Sequence, residues 1–467
     1  MHIVIVWAGW SWISNLAHII RDLWYKNIVA IDAFESQITS ALKEKGIPLK
    51  IGHWKYEVKE DDIVIYSEAV KDSPEVQKAF KLKKENHLPL KIWNYFEFLG
   101  ELSKYFRTVW IAGTNGKSSS TALAIVAWKT LLPELWLGIV WALVPDLWNK
   151  SYYLKENKKE EFHRLFDYIF TWKKLPYELI KKYYFFLEAC EYKRHFLHLD
   201  LEYLLITNME LDHTDYYKDR NDYKSAFIQM NLNTKKETLI LENSEKNTIK
   251  TDFSEFEKIQ EIPINHFELD HVWWKHTDCN ASLIQGLLKT IRPELTEKEI
   301  YSTFKPFKWI WRRLEYLGET SKWSKVFTDY GHIASSLIIG YKTLKERFPN
   351  KKIIWVFQPH QIHRVLVGRN EFKESLSLFD EAIIYSIYAA REPLDSFKDE
   401  PKFKENNIKS LHEFWELFSK EMNATYIDKF EILKDRLSEQ GNDSIIAIFT
   451  AWNLDYEIRK SNLINND

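Results

Sequence analysis

Apolar residues in this chain fall into short runs separated by longer amphipathic stretches. Ile3-Val4-Ile5-Val6 is a continuous apolar run, the pattern of a parallel strand covered on both faces. A helical period follows over 13–23, then a second strand over 27–31 that ends at Asp32. The result is a strand–turn–helix–strand unit with an acidic residue about 20 positions after the turn, a spacing suited to a bound nucleotide. Further strands are predicted over 63–66 and 108–112, and a helix over 119–129. The stretch 150–160 is polar and Lys-rich and reads as a loop. Strands recur over 183–187, 203–207 and 238–241. A strand over 325–328, a helix over 335–347 and a strand over 352–357 begin another alternating unit, with later strands over 382–385 and 445–449. This alternation predicts α/β architecture with mostly parallel sheets. The most apolar stretch, 131–148, contains Pro133, Glu134, Pro145 and Asp146 and reads as buried core, not as a membrane span.

Length and charge bound the picture. A chain of 467 residues is expected to form about three domains. With 65 basic and 67 acidic residues there is no charge excess to recruit nucleic acid or a membrane surface. Cys190 and Cys279 are too few for a disulfide framework or a four-cysteine zinc site, which suits a reducing cytoplasm.

One ratio is abnormal: 20 Trp against 13 Gly. Glycine usually supplies about 7% of residues, and the two counts together would restore that share. Position sharpens the point. The turn after the first strand reads Trp7-Ala8-Gly9-Trp10-Ser11-Trp12, where a chain that turns tightly against a phosphate needs glycine. The expectation is that many of these tryptophans are UGA codons that the source organism reads as glycine.

The segment Gly113-Thr114-Asn115-Gly116-Lys117-Ser118 lies between a predicted strand and a predicted helix. Backbone N–H groups and the helix N-terminus would surround phosphates. Lys117 would add a point charge, and the Ser118 hydroxyl could ligate magnesium. The spacing between the glycines is shorter than in the usual phosphate loop, and a helix cap by Ser118 or Ser119 would use the same residues.

This segment resembles the phosphate loop of the Mur ligase family, which includes folylpolyglutamate synthases. Later motifs extend the resemblance over essentially the whole chain. They are Glu188-Ala189-Cys190-Glu191, Thr207-Asn208-Met209-Glu210-Leu211-Asp212-His213, Lys275-His276-Thr277-Asp278-Cys279-Asn280-Ala281, Arg312-Arg313-Leu314-Glu315, Asp329-Tyr330-Gly331-His332, Phe357-Gln358-Pro359-His360 and Tyr388-Ala389-Ala390-Arg391-Glu392. In this order they are most similar to the alanine-adding branch. Trp274, Trp309 and Trp452 fall where that family has glycine.

The resemblance implies three domains: a Rossmann-like one over 1–105 for the UDP-sugar, a central P-loop ATPase over 106–314, and a Rossmann-like one over 315–467 for the amino acid. It implies ATP and Mg2+, and UDP-N-acetylmuramate and L-alanine as substrates joined through an acyl phosphate. Lys117, Glu188 and His213 would be catalytic, with Ser118, Glu188 and His213 on the metal. ATP would also meet Gly113, Thr114, Asn115, Gly116, Ser119, His276, Asn280, Arg313 and Asp329. The UDP-sugar would meet Trp10, Ser11, Asp32, His53 and Ser67, and the amino acid His332, His360 and Arg364. Asn208 and Asp212 could orient His213 or bind phosphate, or act only as turn caps.

Departures from the family pattern bear on the amino acid. Asn115 stands where this branch usually has His, Gln361 where Arg is usual, Thr277 where Asn is usual, and Ile333-Ala334 in place of His-Pro. Glycine or serine as acceptor, a tripeptide-adding recycling ligase, and a non-catalytic nucleotide-binding relative whose tryptophans are real stay open at this level.

Overall fold

The computed structural model describes the chain except residues 10, 54, 87–89, 172–180, 215, 245–250, 273–274, 309, 387–391, 393, 452 and 466–467, and the side chains of 11, 37, 86 and 275. Trp10, the Ser11 side chain, Trp274, Trp309, Arg391 and Trp452 therefore lie outside the described residues. The chain folds into two compact units, one of 1–210 with 221–310, the other of 211–220 with 311–467. Three α/β sheets carry the described strands.

In the first unit, β1 (Ile3–Val6), β2 (Ile28–Asp32), β3 (Leu49–Ile51), β4 (Ile63–Tyr66) and β5 (Lys91–Asn94) form a parallel sheet in the order β3-β2-β1-β4-β5. β1, β2 and β4 are buried along their whole length, as their unbroken apolar runs require. The order reverses between β1 and β4, the switch point where such sheets bind ligands at their C-terminal edge.

The same unit holds a second sheet. Its strands are β6 (Arg107–Ala112), β7 (Leu135–Val144), β8 (Lys150–Leu154), β9 (Tyr184–Glu188), β10 (Tyr203–Ile206), β11 (Thr238–Leu241) and β12 (Ile259–Ile262), in the order β12-β11-β10-β6-β9-β7-β8. Among the described strands of this sheet, only β8 runs antiparallel, against β7. The expectation of a loop over 150–160 is corrected here. Tyr152 and Leu154 are buried on β8, and a helix begins at Lys159. Lysines at both ends hid a short amphipathic strand. The apolar stretch 131–148 becomes β7, and among the described residues no helix is long and apolar enough to cross a membrane.

The second unit has β13 (Glu315–Glu319), β14 (Lys325–Asp329), β15 (Lys352–Gln358), β16 (Glu381–Tyr385), β17 (Thr425–Ile427) and β18 (Ser444–Thr450), ordered β13-β14-β18-β15-β16-β17 and parallel except for the β13–β14 hairpin. Its core gathers Val326, Ile354, Val356, Ile383, Ile446 and Ile448.

The tryptophans divide by backbone conformation. Trp12 is not part of a turn, because the helix Ser11–Asp22 has already begun. Its ring packs edge-on against Tyr95 and stacks on Phe96. Trp7, Trp24, Trp148 and Trp323 instead have φ of 70°, 66°, 58° and 67°, in the left-handed region that strains any residue with a Cβ.

Candidate functional site

β6 ends at Ala112, and the helix Lys117–Leu131 begins four residues after Gly113. The loop between them needs glycine at both ends. Gly113 and Gly116 have φ of 132° and 85°. A Cβ on Gly113 would run into the Thr207 hydroxyl, and one on Gly116 would lie 2.8 Å from Asn280 Oδ1.

Residues after β10 clamp the loop. The Asn115 N–H donates to Asn208 Oδ1 at 2.9 Å, and Asn208 Nδ2 donates back to the Asn115 carbonyl at 2.8 Å. The Thr207 hydroxyl donates to that carbonyl at 2.6 Å. The Thr114 hydroxyl donates to the Glu210 carbonyl at 2.7 Å and accepts from the Glu210 N–H at 2.9 Å. Bonds of this kind fix where the loop's own N–H groups point, which is the preorganisation an anion site requires.

Two carboxylates meet the first turn of the helix. Glu188 ends β9, as its place after an apolar run predicts, and is buried. Ser118 Oγ donates to its Oε1 at 2.7 Å, and the Trp141 N–H donates to its Oε2 at 2.9 Å. Glu191 accepts from Lys117 Nζ at 3.0 Å and from the Tyr223 hydroxyl at 3.2 Å. Lys117 also donates to the carbonyls of Gly113 and Thr114. No role falls to Glu191, Thr207, Glu210 or Tyr223 from the sequence. The only signal was that they sit inside or near recognisable motifs.

Asn280 and His276 lie in the first two turns of the helix Lys275–Ile291. Desolvation pushes the His276 imidazole down to about 4, so it is neutral near pH 7 and fit to meet an uncharged ring. Ser119 is half-buried in the first turn of the loop's helix.

At the switch point of the first sheet, Asp32 Oδ2 accepts from the Gly9 N–H at 2.7 Å and Oδ1 from the Phe34 N–H at 3.1 Å. Burial raises its carboxyl above the usual range. Ser67 is fully buried at the end of β4, where its hydroxyl caps Ala69 N–H. His53 stands 3.5 Å from Glu75 with its side chain about half exposed.

In the second unit, a polar cluster forms. Arg364 Nη2 donates to Asp212 Oδ1 at 3.0 Å, and its Nη1 lies 3.2 Å from His360 Nδ1. The rings of His332 and His360 meet edge-on, with centroids 6.0 Å apart. Burial opposes charge on Asp212, but His213, Arg364 and His332 hold its carboxyl well below the usual range. Burial and then Arg364 push His332 down to about 3. Glu392 accepts from the Ile362 and His363 N–H groups, fixing the turn that carries Arg364. His213 belongs to this unit, with φ of 53° and its N–H bonded to Asp212 Oδ1 at 2.7 Å.

Asp329 ends β14 and accepts from the N–H groups of Leu314 at 2.8 Å and Gly331 at 2.6 Å. Burial raises its carboxyl, and Arg313 is the strongest charge acting against that rise. The two residues paired on the sequence are thus electrostatic neighbours.

No family model matches the chain. It is similar to the UDP-N-acetylmuramate–L-alanine ligase of Clostridium botulinum (strain Hall), at 28% identity over 485 residues that cover 96% of this chain and 94% of the relative. Among solved structures, the UDP-N-acetylmuramate–alanine ligase of Thermotoga maritima matches with a TM-score of 0.71 at 20% identity, covering 98% of each chain. A murein peptide ligase of Psychrobacter arcticus matches with a TM-score of 0.65 at 16% identity, covering 100% of this chain and 99% of the other. Both structures share the fold described above.

Proposed function

We infer that this chain, which belongs to the Mur ligase family, joins L-alanine to the lactyl carboxylate of UDP-N-acetylmuramate at the expense of ATP, in peptidoglycan precursor synthesis. The observation that carries the reading is the clamped loop 113–118 with Glu188 bonded to Ser118. End-to-end similarity to alanine-adding relatives supports the choice of substrates. The division of labour follows the three sheets, with 1–105 for the UDP-sugar, 106–314 for ATP and 315–467 for the amino acid.

In the first step, a carboxylate oxygen of the sugar's lactyl group attacks the γ-phosphorus, and ADP leaves. In the second, the amine attacks the acyl carbon and loses a proton, and phosphate leaves with one of the original carboxylate oxygens. The loop N–H groups and Lys117 hold the phosphates and neutralise their charge, so the protein acts mainly by positioning and electrostatics. Asn280, over Gly116, and neutral His276 would face the adenine side. Arg313, held beside Asp329, would supply a forked cation to the nucleotide. Arg364 with His360 and His332 would hold the alanine carboxylate.

The donors fit magnesium. The Ser118 hydroxyl and Glu188 carboxylate are hard oxygens 2.7 Å apart, and this ion is commonly held by one or two carboxylates beside nucleotide phosphates. Bound there, it would neutralise charge on the transferred group. His213 is proposed as its further ligand.

The test is phosphate release from ATP and UDP-N-acetylmuramate with L-alanine, glycine, L-serine or a tripeptide as acceptor. L-alanine is expected to turn over fastest. Turnover with the tripeptide alone would replace this reading by the recycling ligase, and no turnover with any acceptor would leave a binding protein.

A further inference from the structure

Glu191 has no part in the chemistry above, yet it is one of the most buried carboxylates in the molecule, 1% exposed. Its partner is the lysine of the phosphate loop, at 3.0 Å. An ammonium has three protons to donate. Lys117 directs its own to Gly113 O, Thr114 O and Glu191 Oε1. A phosphate oxygen that binds Lys117 must therefore displace one of these acceptors. The two carbonyls belong to the loop and move only with it. Glu191 is an anion, as the phosphate is, and two anions compete for one cation. Nor is Glu191 a loose surface partner. The Tyr223 hydroxyl donates to it at 3.2 Å, and the same oxygen packs 3.0 Å from Thr114 Oγ1 of the loop.

We propose that Glu191 is a positioning residue for Lys117, which keeps the ammonium in register with the loop and competes with the terminal phosphates of the nucleotide for it. The proposal rests on the reading of 113–118 as an ATP loop. It makes a prediction that damage to the fold would not imitate: neutralising Glu191 tightens nucleotide binding. The full-length protein is titrated calorimetrically with ADP, with magnesium chelated. Glu191→Gln is expected to bind roughly tenfold tighter than wild type, the scale of one charge-assisted hydrogen bond released. Tyr223→Phe, which loosens Glu191 without removing its charge, is expected to shift in the same direction by less. Equal or weaker binding by a folded Glu191→Gln overturns the competition. Should that variant not fold, the absence of tightening in Tyr223→Phe overturns it. A wild-type protein that does not bind ADP would overturn the nucleotide reading, and this proposal with it.

A different observation carries a second inference. Four helix ends share one bonding pattern. After the helix Gln37–Glu44, Gly46 N–H bonds Lys43 O and Ile47 N–H bonds Leu42 O, with Gly46 at φ 73°. After Pro401–Glu405, Asn407 and Ile408 bond Lys404 O and Phe403 O. After Leu411–Glu421, Asn423 and Ala424 bond Lys420 O and Ser419 O. After Ser11–Asp22, Trp24 and Tyr25 bond Arg21 O and Ile20 O. This cap needs a left-handed residue, glycine first and asparagine second. Its occupants here are Gly46, Asn407, Asn423 and Trp24. Trp323 stands at the left-handed position of the β13–β14 hairpin, where a glycine normally completes the bulge. Trp24, Trp148 and Trp323 are also exposed, at 55%, 74% and 62%, so no core selects an indole there.

We infer that Trp7, Trp24, Trp148 and Trp323 are glycine in the protein as its own cell makes it. Peptide mass spectrometry of the natural protein tests this. Peptides that span these positions are expected to be lighter than the written sequence by about 130 Da per site. Tryptophan at any of the four overturns the assignment for the set.

Discussion

Lys117 and Trp24 show how much one position can decide. Lys117 joins three acceptors at the end of the loop 113–118, and no other residue of that loop carries a cation. Lys117→Ala is expected to abolish phosphate release under saturating substrates, and retained turnover would contradict the loop's role. Trp24 is exposed and sits in a conformation that costs a residue with a Cβ about 1–2 kcal/mol. In protein expressed with the written sequence, Trp24→Gly is therefore expected to raise unfolding free energy by about 1 kcal/mol, after the glycine's greater unfolded-state entropy is subtracted. A urea midpoint that does not move, or falls, would count against this. Gly113 and Gly116 were legible because they were written as glycine. The turn after β1 was legible only through the excess of tryptophan.

At the scale of elements, short unbroken apolar runs were readable as strands and wet ones were obscure. β5 and β7, though mostly buried, were not read as strands, the one because Lys91 and Asn94 bound it and the other because its run was read only as buried core. β1, β4 and β11 have the bounds their apolar runs predict. β8, with lysine at its start, and β12, mostly exposed along its length, carry no such run, so neither was anticipated. The clamp on the loop 113–118 is likewise a property of two elements, β6 and β10, brought side by side by parallel pairing. Asn208→Ala removes both bonds to Asn115 and is expected to weaken ADP binding about tenfold while the fold persists, as calorimetry can measure. Two helices also hold half-buried, neutral imidazoles: His18, pushed down to about 4 chiefly by desolvation, and His276, also about 4. Each lies below the ordinary 6.5, so the unfolded chain binds these protons first. Stability is then fully present above pH 6.5 and is lost as pH falls from there toward 4. His18→Gln is expected to flatten that decline, as denaturant midpoints measured across the range would reveal.

Across the whole molecule, the proposed chemistry requires that one carboxylate oxygen of the sugar end in inorganic phosphate. With a heavy-oxygen label in the lactyl carboxylate of UDP-N-acetylmuramate, one labelled atom is expected in each phosphate released. Unlabelled phosphate would exclude the acyl phosphate. The α/β class, the mostly parallel sheets and the glycine-bounded strand–loop–helix turn at 113–118 were all determined by the sequence alone, because buried strands and tight turns impose local composition. Tertiary structure alone decided which side chains meet. Asp212 and Arg364 are 152 positions apart, and Lys117 and Glu191 are 74 apart, yet each pair forms an ion pair. Such meetings follow from strand order and register, which no local pattern encodes. They also settle charge, because burial raises the free energy of an ion until a partner from a distant segment offsets it.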